Sequence, residues 1–356
     1  MTANLDGWYS RTGNQTDVAV FTRCDIARNI SGFMFPVSMT QADSLETLSL
    51  ITSFFDTLAD AAYFKKIKLD TIDALTVKLL EERGISFQRL PTEPKKALVI
   101  HDNGALYTGI NMEDHINISS FIAGFDAPMA FAPAATLEAK MQKHFLFSSM
   151  EDAGYITSDI TGIGSGIKFS VLCSLPGILF SNSLASIVES VRGSCLNISG
   201  YYAFNSKESI GSLFALSTSV CAGGDENSQL MEFTSAVQKI INEEYILQKR
   251  IAEDNNLKLR DMIYRACAIS QSAKLMEFRE AANIIFKIKL GLNLNIIKGI
   301  THEQCNSMLF KIQMGHIAFL LLNNINIYDM PITESSIEEC RANIIKDVCS
   351  HIKIIA

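Results

Sequence analysis

With 356 residues, 48% of them hydrophobic, 19% charged and only 7 prolines, the chain is ordered and long enough for more than one core, which excludes a disordered tail or low-complexity array. Its 31 basic and 38 acidic residues leave a net charge of −7 with no basic tract, so no nucleic-acid partner is expected; phosphate backbones are held by clustered Lys and Arg.

Residues 1–16 read as a polar N-terminal tail, with Asp6 where a signal peptide would be apolar, and the expected location is cytoplasmic. "DVAVFTRC" alternates as a strand does, giving way by about residue 42 to the helical spacing of "SLETLSLITSFFDTLADAAYF". "TIDALTVKLLEERG" predicts a second helix stopped by Gly84. In "KALVIHDNGALYTGINMEDHINISSFIAGF" short β-like runs are parted by Asp102-Asn103-Gly104 and by Glu113-Asp114, the turn chemistry of an antiparallel meander. A helix is predicted around "ATLEAKMQKHFLFSSM", and strands in "GIKFSVLCSLPGIL", "NISGYYAF" and "SLFALSTSV".

Residues 17–250 therefore predict an α+β domain, a mainly antiparallel sheet flanked by helices. From Asp225 onward helical periodicity dominates, and a composition shift near 248–256 sets off a helical C-terminal domain over 251–356. Its most apolar run, Met308 to Asn324, is interrupted by Lys311, Gln313 and His316 and predicts a buried helix, not a membrane span. The 8 cysteines include no C-x-x-C pair, so they read as reduced thiols and no metal site is expected.

"GIGSGIK", Gly162 to Lys168, suggests a phosphate loop. The Walker A pattern G-x-x-x-x-G-K-[ST] fails on it: Gly162 is four residues before Gly166, Lys168 is two after it, and Phe169 replaces the magnesium-binding hydroxyl. Taken alone, the glycines mark a turn needing positive φ.

In context the loop acquires a family. Residues 157–176, "TSDITGIGSGIKFSVLCSLP", resemble without a gap the pattern T-S-C-P-T-N-x-G-T-G-x-R-x-S-V-x-x-x-L-P of ATP:guanido phosphotransferases, the phosphagen kinases. "TDVAVFTRCDIARNISGFMFP" (Thr16 to Pro36) resembles the family's S-S-R-[IV]-R-L-A-R-N segment, and "INMEDHINI" (Ile110 to Ile118) resembles [IV]-N-E-E-D-H-[IL]-R-[IV]. "GYYAFNSKESIGSLFALSTSV" resembles the R-G-x-x-G-E segment, and the helices after Arg260 are similar to those of the bacterial protein arginine kinase branch. The resemblance implies the phosphagen-kinase, glutamine-synthetase-like catalytic fold, followed by that branch's helical domain.

Phosphoryl transfer to a guanidinium requires cations on the ATP phosphates, a carboxylate base, and a second carboxylate to orient the acceptor. By resemblance Glu113 is the general base, and Arg23, Arg28, Lys168, Gly164, Gly166 and His115 are what remains of the nucleotide site. Asp25, Asn117 and Gly200 stand where the family has arginines; Met112 and Asn205 stand for glutamates, Asp159 for a cysteine and Gly162 for an asparagine. Arg192 offers a displaced replacement for the arginine at Gly200. The residues also permit structural readings: an Arg23–Asp25 ion pair, a polar strand-end turn at Glu113-Asp114-His115, and a hydrogen-bonded structural His115.

"IEECRA" (Ile337 to Ala342) lies where the branch has R-D-x-x-R-A, associated with phosphoarginine. Arg341 and Ala342 match while Ile337 and Glu338 do not, and an amphipathic surface helix is the alternative. The expected function is a catalytically impaired, protein-arginine-kinase-like pseudokinase that acts through protein partners, by resemblance stress-response regulators or protease adaptors, with homodimerisation through the C-terminal helices. The alternative is an active Mg-ATP-dependent protein-arginine kinase with Glu113 as base.

Overall fold

The computed structural model describes residues 7–85, 95–191, 196–202, 209–221, 225–254, 257–323 and 333–355. Its strands are β1 (Ala19–Arg28), β2 (Phe64–Lys68), β3 (Ala97–His101), β4 (Leu106–Ile110), β5 (Ile116–Ala123), β6 (Ser149–Met150), β7 (Gly154–Tyr155), β8 (Ile167–Ser174), β9 (Leu196–Tyr202), β10 (Ser209–Thr218), β11 (Ile297–Lys298) and β12 (Lys353–Ile354). The helices are α1 (Gln41–Asp56), α2 (Ala74–Glu82), α3 (Ala127–Met141), α4 (Pro176–Phe180), α5 (Leu184–Ser190), α6 (Glu226–Glu253), α7 (Leu257–Ser272), α8 (Phe278–Asn293), α9 (His302–Lys311), α10 (Met314–Leu322) and α11 (Glu334–Cys349).

Eight strands form one antiparallel sheet in the order β2-β3-β4-β5-β1-β8-β10-β9. β1 lies inside it, between β5 and β8, and its residues are accordingly buried on both faces. Side chains alternate along it. Cys24 and Ile26 enter a core with Phe54 and Phe55 of α1, Ala130 and Leu137 of α3, and Phe233 and Val237 of α6. Phe21, on the opposite face, joins Phe121, Leu172 and the C-terminal helices through Ile285 and Phe310.

The helices after residue 256 therefore share a core with the sheet. So do Trp8 and Tyr9 of the expected tail: Trp8 stacks on Phe121 at 4.9 Å and Tyr9 on Phe310 at 4.7 Å, burying aromatic area that could not stay in water cheaply.

The structure departs from the sequence expectations at three elements. The helix predicted up to Phe64 stops at Asp56, and "FKKIK" becomes the edge strand β2, whose lysines suit an exposed sheet edge. The helix predicted around 135–150 runs instead over Ala127–Met141: Asp126 caps it by accepting from Met129 N, and the first turn accommodates a proline. The run Met308 to Asn324 is not one helix, since α9 and α10 meet at 73°. Among the described residues no single helix is long and apolar enough to cross a membrane.

That break is held by tertiary contacts. The buried Glu82 of α2 accepts from Gly315 N (2.8 Å) and His316 N (3.0 Å) at the start of α10, while Arg341 Nε donates to Ile312 O (2.8 Å). Both satisfy backbone groups that ending and restarting a helix leaves open. Glu82→Ala strands two buried N–H groups and is expected to cost about 2–4 kcal/mol, read as a lower denaturant midpoint. An unchanged midpoint would show that water replaces the carboxylate.

Candidate nucleotide cleft and its internal ion pairs

A cleft of 450 Å³ opens on the sheet face that carries Arg23 and Asp25, lined also by Tyr107, Glu113, Asp159 and Lys168. Strand register builds it: Asp25 pairs with Ser119 of β5 on one side and with Lys168 of β8 on the other. Period-2 alternation then points these side chains to one face.

Arg23 is nearly buried, and each of its nitrogens has a partner. Nε donates to Asp25 Oδ1 (2.7 Å), Nη1 to Gly84 O (2.9 Å) and Nη2 to Tyr107 Oη (2.9 Å). Tyr107 Oη donates in turn to Ile85 O, and burial pushes its hydroxyl up to about 12, so it stays a neutral donor. Asp25 takes a further bond from the Ser119 hydroxyl. The Arg23–Asp25 pair anticipated in the sequence is thus one edge of a network that includes Ser119 and Tyr107, which sequence reasoning missed.

Lys168 is closed in the same way. Its Nζ lies 2.6 Å from Asp159 Oδ2 and 2.9 Å from Thr161 Oγ1. The Lys168 ammonium, then the Thr161 hydroxyl and amide, hold the Asp159 carboxyl at about 2, below its ordinary 3.8. A carboxylate depressed by folding contributes stability above the unfolded value, lost as pH falls through the folded one. Carbon-detected NMR should therefore find Asp159 titrating near 2 in the wild type and back toward 3.8 in Lys168→Met; no movement would mean the pair does not form in solution.

Glu113 is exposed on the cleft wall, its main-chain oxygen accepting from Ser158 Oγ at 2.6 Å. Its neighbours in the motif are structural. Asp114 is buried and accepts from Asn29 Nδ2 and Ser158 N, both at 2.7 Å. His115 is fully buried: Nδ1 accepts from Ile30 N (2.9 Å) and Nε2 donates to Met34 O (2.9 Å), which ties residues 29–34 to the sheet. Burial holds its pKa below the usual imidazole value.

The glycine loop is a turn of positive φ, +125° at Gly164 and +64° at Gly166. A Cβ at Gly166 would lie 2.8 Å from Ala27 O, so only glycine lets the loop meet β1 so closely. Gly162 and Gly166 border the cleft, whereas Gly164 faces a separate pocket.

Two further expected site residues, like His115 and Gly164, lie away from the cleft. Arg28 is an odd number of residues from Arg23, and so projects from the opposite face of β1. It is 1% exposed there, donating to Glu138 Oε1 of α3 (2.9 Å) and to the carbonyls of Ala27 and Ser165 (2.8 Å each), with Tyr155 stacked at 3.6 Å. This arginine holds α3 and the glycine loop to β1 and does not reach the cleft. Arg341 is likewise buried, its Nε and Nη1 given to Ile312 O and Met276 O at 2.8 Å each, and burial lowers its pKa. It is no exposed surface-helix residue and is committed to helix packing. Arg192 and Asn205 lie outside the described residues. Among the described residues, Cys24, Cys173, Cys221, Cys267, Cys305, Cys340 and Cys349 are buried and form no disulfide.

Comparison with known proteins agrees with this architecture. The family model for the ATP:guanido phosphotransferase C-terminal catalytic domain matches residues 46–247, and that for the protein-arginine kinase McsB C-terminal domain matches residues 256–353. The protein-arginine kinase of Geobacillus sp. (strain WCH70) is 26% identical over 319 residues, 88% of this chain and 87% of the relative. That of Brevibacillus brevis is 28% identical over 313 residues, 87% of each. Among solved structures, the duplicated taurocyamine kinase from Schistosoma mansoni aligns with a TM-score of 0.61 at 18% identity, over 79% of this chain and 41% of that longer one. Lombricine kinase aligns at 0.58 and 17% identity, over 70% and 72%. The chain belongs to the ATP:guanido phosphotransferase family, in its protein-arginine kinase branch.

Proposed function

We propose that the protein is a cytoplasmic pseudokinase of the protein-arginine kinase branch, acting through protein contacts and not through phosphoryl transfer. One observation carries this: of the described cations that line the cleft, Arg23, Lys96 and Lys168, Arg23 is closed by Asp25 and Lys168 by Asp159, both carboxylates of the same cleft. Those carboxylates occupy, in charge, the place that nucleotide phosphates would take. A triphosphate would have to break both pairs and then sit beside the two displaced anions, so the residues present do not fit Mg-ATP.

The second reading, an active kinase, has its own support in Glu113, exposed on the cleft wall where the family pattern places the base. Titration calorimetry separates the two. Wild-type protein with Mg-ATP is expected to give no saturable heat; saturation, together with arginine phosphorylation abolished by Glu113→Gln, would establish the active kinase.

The partners proposed are protein regulators or protease adaptors, together with a second copy docking through the C-terminal helices. Phosphoarginine sensing is not part of the proposal, because the matched Arg341 spends its donors on backbone carbonyls.

A further inference from the structure

His115 lies immediately before β5, outside the nucleotide cleft, and holds down the segment that leaves β1. Its two ring nitrogens clasp both ends of residues 30–34: Nδ1 accepts from Ile30 N and Nε2 donates to Met34 O, each at 2.9 Å. These partners fix the state of the ring. A backbone N–H can only donate and a carbonyl can only accept, so Nδ1 is bare and Nε2 carries the proton, which is the neutral imidazole.

A second proton has one place to go, Nδ1, where it would face the Ile30 N–H, donor against donor. The ring is also fully buried, with Phe33 edge-on at 6.3 Å, so the charged form would lose its hydration. Among the described residues the charged group that acts on the ring is Asp114, whose carboxylate is itself bonded to Asn29 Nδ2 and Ser158 N. Burial outweighs the Met34 carbonyl and Asp114, both of which favour the proton, and keeps the His115 pKa below 6.5.

The other main-chain ties of this segment carry no titratable group. Ser31 N donates to Leu146 O and Ser148 N to Asn29 O, both at 2.8 Å, and His115 N donates to Asn29 Oδ1 at 3.0 Å. Ile30 and Phe33 pack into the core beneath the sheet, whereas Met34 and Val37 are 61% and 89% exposed, so the outer edge of the segment buries little that would hold it.

We propose that residues 29–34 form a pH-sensitive strap, locked by neutral His115 and released when that ring is protonated. The open strap gains a proton that the closed one cannot hold. The closed form therefore keeps its full stability above 6.5, the ordinary imidazole value, and loses it progressively as pH falls below that. Opening draws Ile30 and Phe33 out of the core beside Met34 and Val37, which enlarges an apolar surface in acid. The device is independent of whether the cleft binds nucleotide.

Amide hydrogen exchange of the full chain, followed by NMR and corrected for the intrinsic rate at each pH, tests this. With an open-state value near 6.5, the opening constant rises about tenfold between pH 7.5 and pH 5.5. The protection factors of Ile30 and Ser31 are expected to fall by that factor, while that of Phe121 in β5, bonded to Ala105 O, does not. His115→Asn keeps a neutral acceptor and is expected to abolish the fall. Where that variant does not fold, the ring nitrogen signals of the wild type decide: a neutral ring protonated at Nε2 and titrating below 6.5 supports the strap, and one titrating at or above 6.5 overturns it. Protection at Ile30 that ignores pH, an equal fall at Phe121, or a fall that persists in His115→Asn also overturns it.

Discussion

Asp25→Arg is expected to raise Mg-ATP affinity by at least about 100-fold, or about 2.7 kcal/mol. The substitution acts twice. It removes the carboxylate that now neutralises Arg23 through a 2.7 Å contact, and it places a second forked cation on the same face of β1. A unit charge at 4 Å from another is worth about 4 kcal/mol at an effective dielectric of 20, so reversing one charge beside a phosphate leaves ample margin for desolvation and strain. Asp25→Asn should show a smaller gain of the same sign. If Asp25→Arg folds and still gives no heat with Mg-ATP, internal pairing is not what keeps nucleotide out, and the pseudokinase reading loses its carrying observation.

Arg28→Ala is expected to destabilise the fold by about 3–5 kcal/mol while leaving any nucleotide affinity of the Asp25→Arg background unchanged. The guanidinium is 1% exposed and paired with Glu138, itself only 12% exposed at the side chain, so truncation leaves an uncompensated buried carboxylate and two carbonyls without donors. Urea denaturation reads the first effect and calorimetry the second. A stable Arg28→Ala protein with weakened ATP binding would return this residue to the clamp that its sequence motif suggested.

Arg28 also shows how a motif can mislead about geometry. Arg23 and Arg28 occur in one run of family-like residues, and similarity treats them alike. The strand read in "DVAVFTRC" ends at Cys24; only the structure extends β1 to Arg28, and strand parity then puts Arg23 and Asp25 on the cleft face and Arg28 on the other. Asp25 was legible as an intruder among arginine positions. Its consequence was legible only in part: the local partner Arg23 is two residues away, but Ser119 and Tyr107 come from strands nearly a hundred residues downstream.

The elements show the same division. Periodicity and turn residues foretold the meander of β3 to β5, the loop glycines and the helical C-terminal third, because these rest on local backbone preference and on which positions are apolar. Edge strand β2 was not foreseen, only its first residue Phe64 falling at the end of the predicted helix, since an exposed lysine-rich segment buries too little to carry a period of its own. The 73° break between α9 and α10 had only Gly315 to announce it locally; Glu82 and Arg341, distant in sequence, supply the bonds that make two helix ends cheaper than one continuous helix.

What the amino-acid order determined by itself is therefore the family, the antiparallel α+β class, and the presence of Asp25 and Asp159 at positions the family pattern gives to other residues. Only the tertiary structure decided which charges meet. Ion pairing depends on distances of a few ångströms: the turn capped by Asp159 just before β8 folds its carboxylate back onto Lys168, and strand face turns Arg28 away from the cleft.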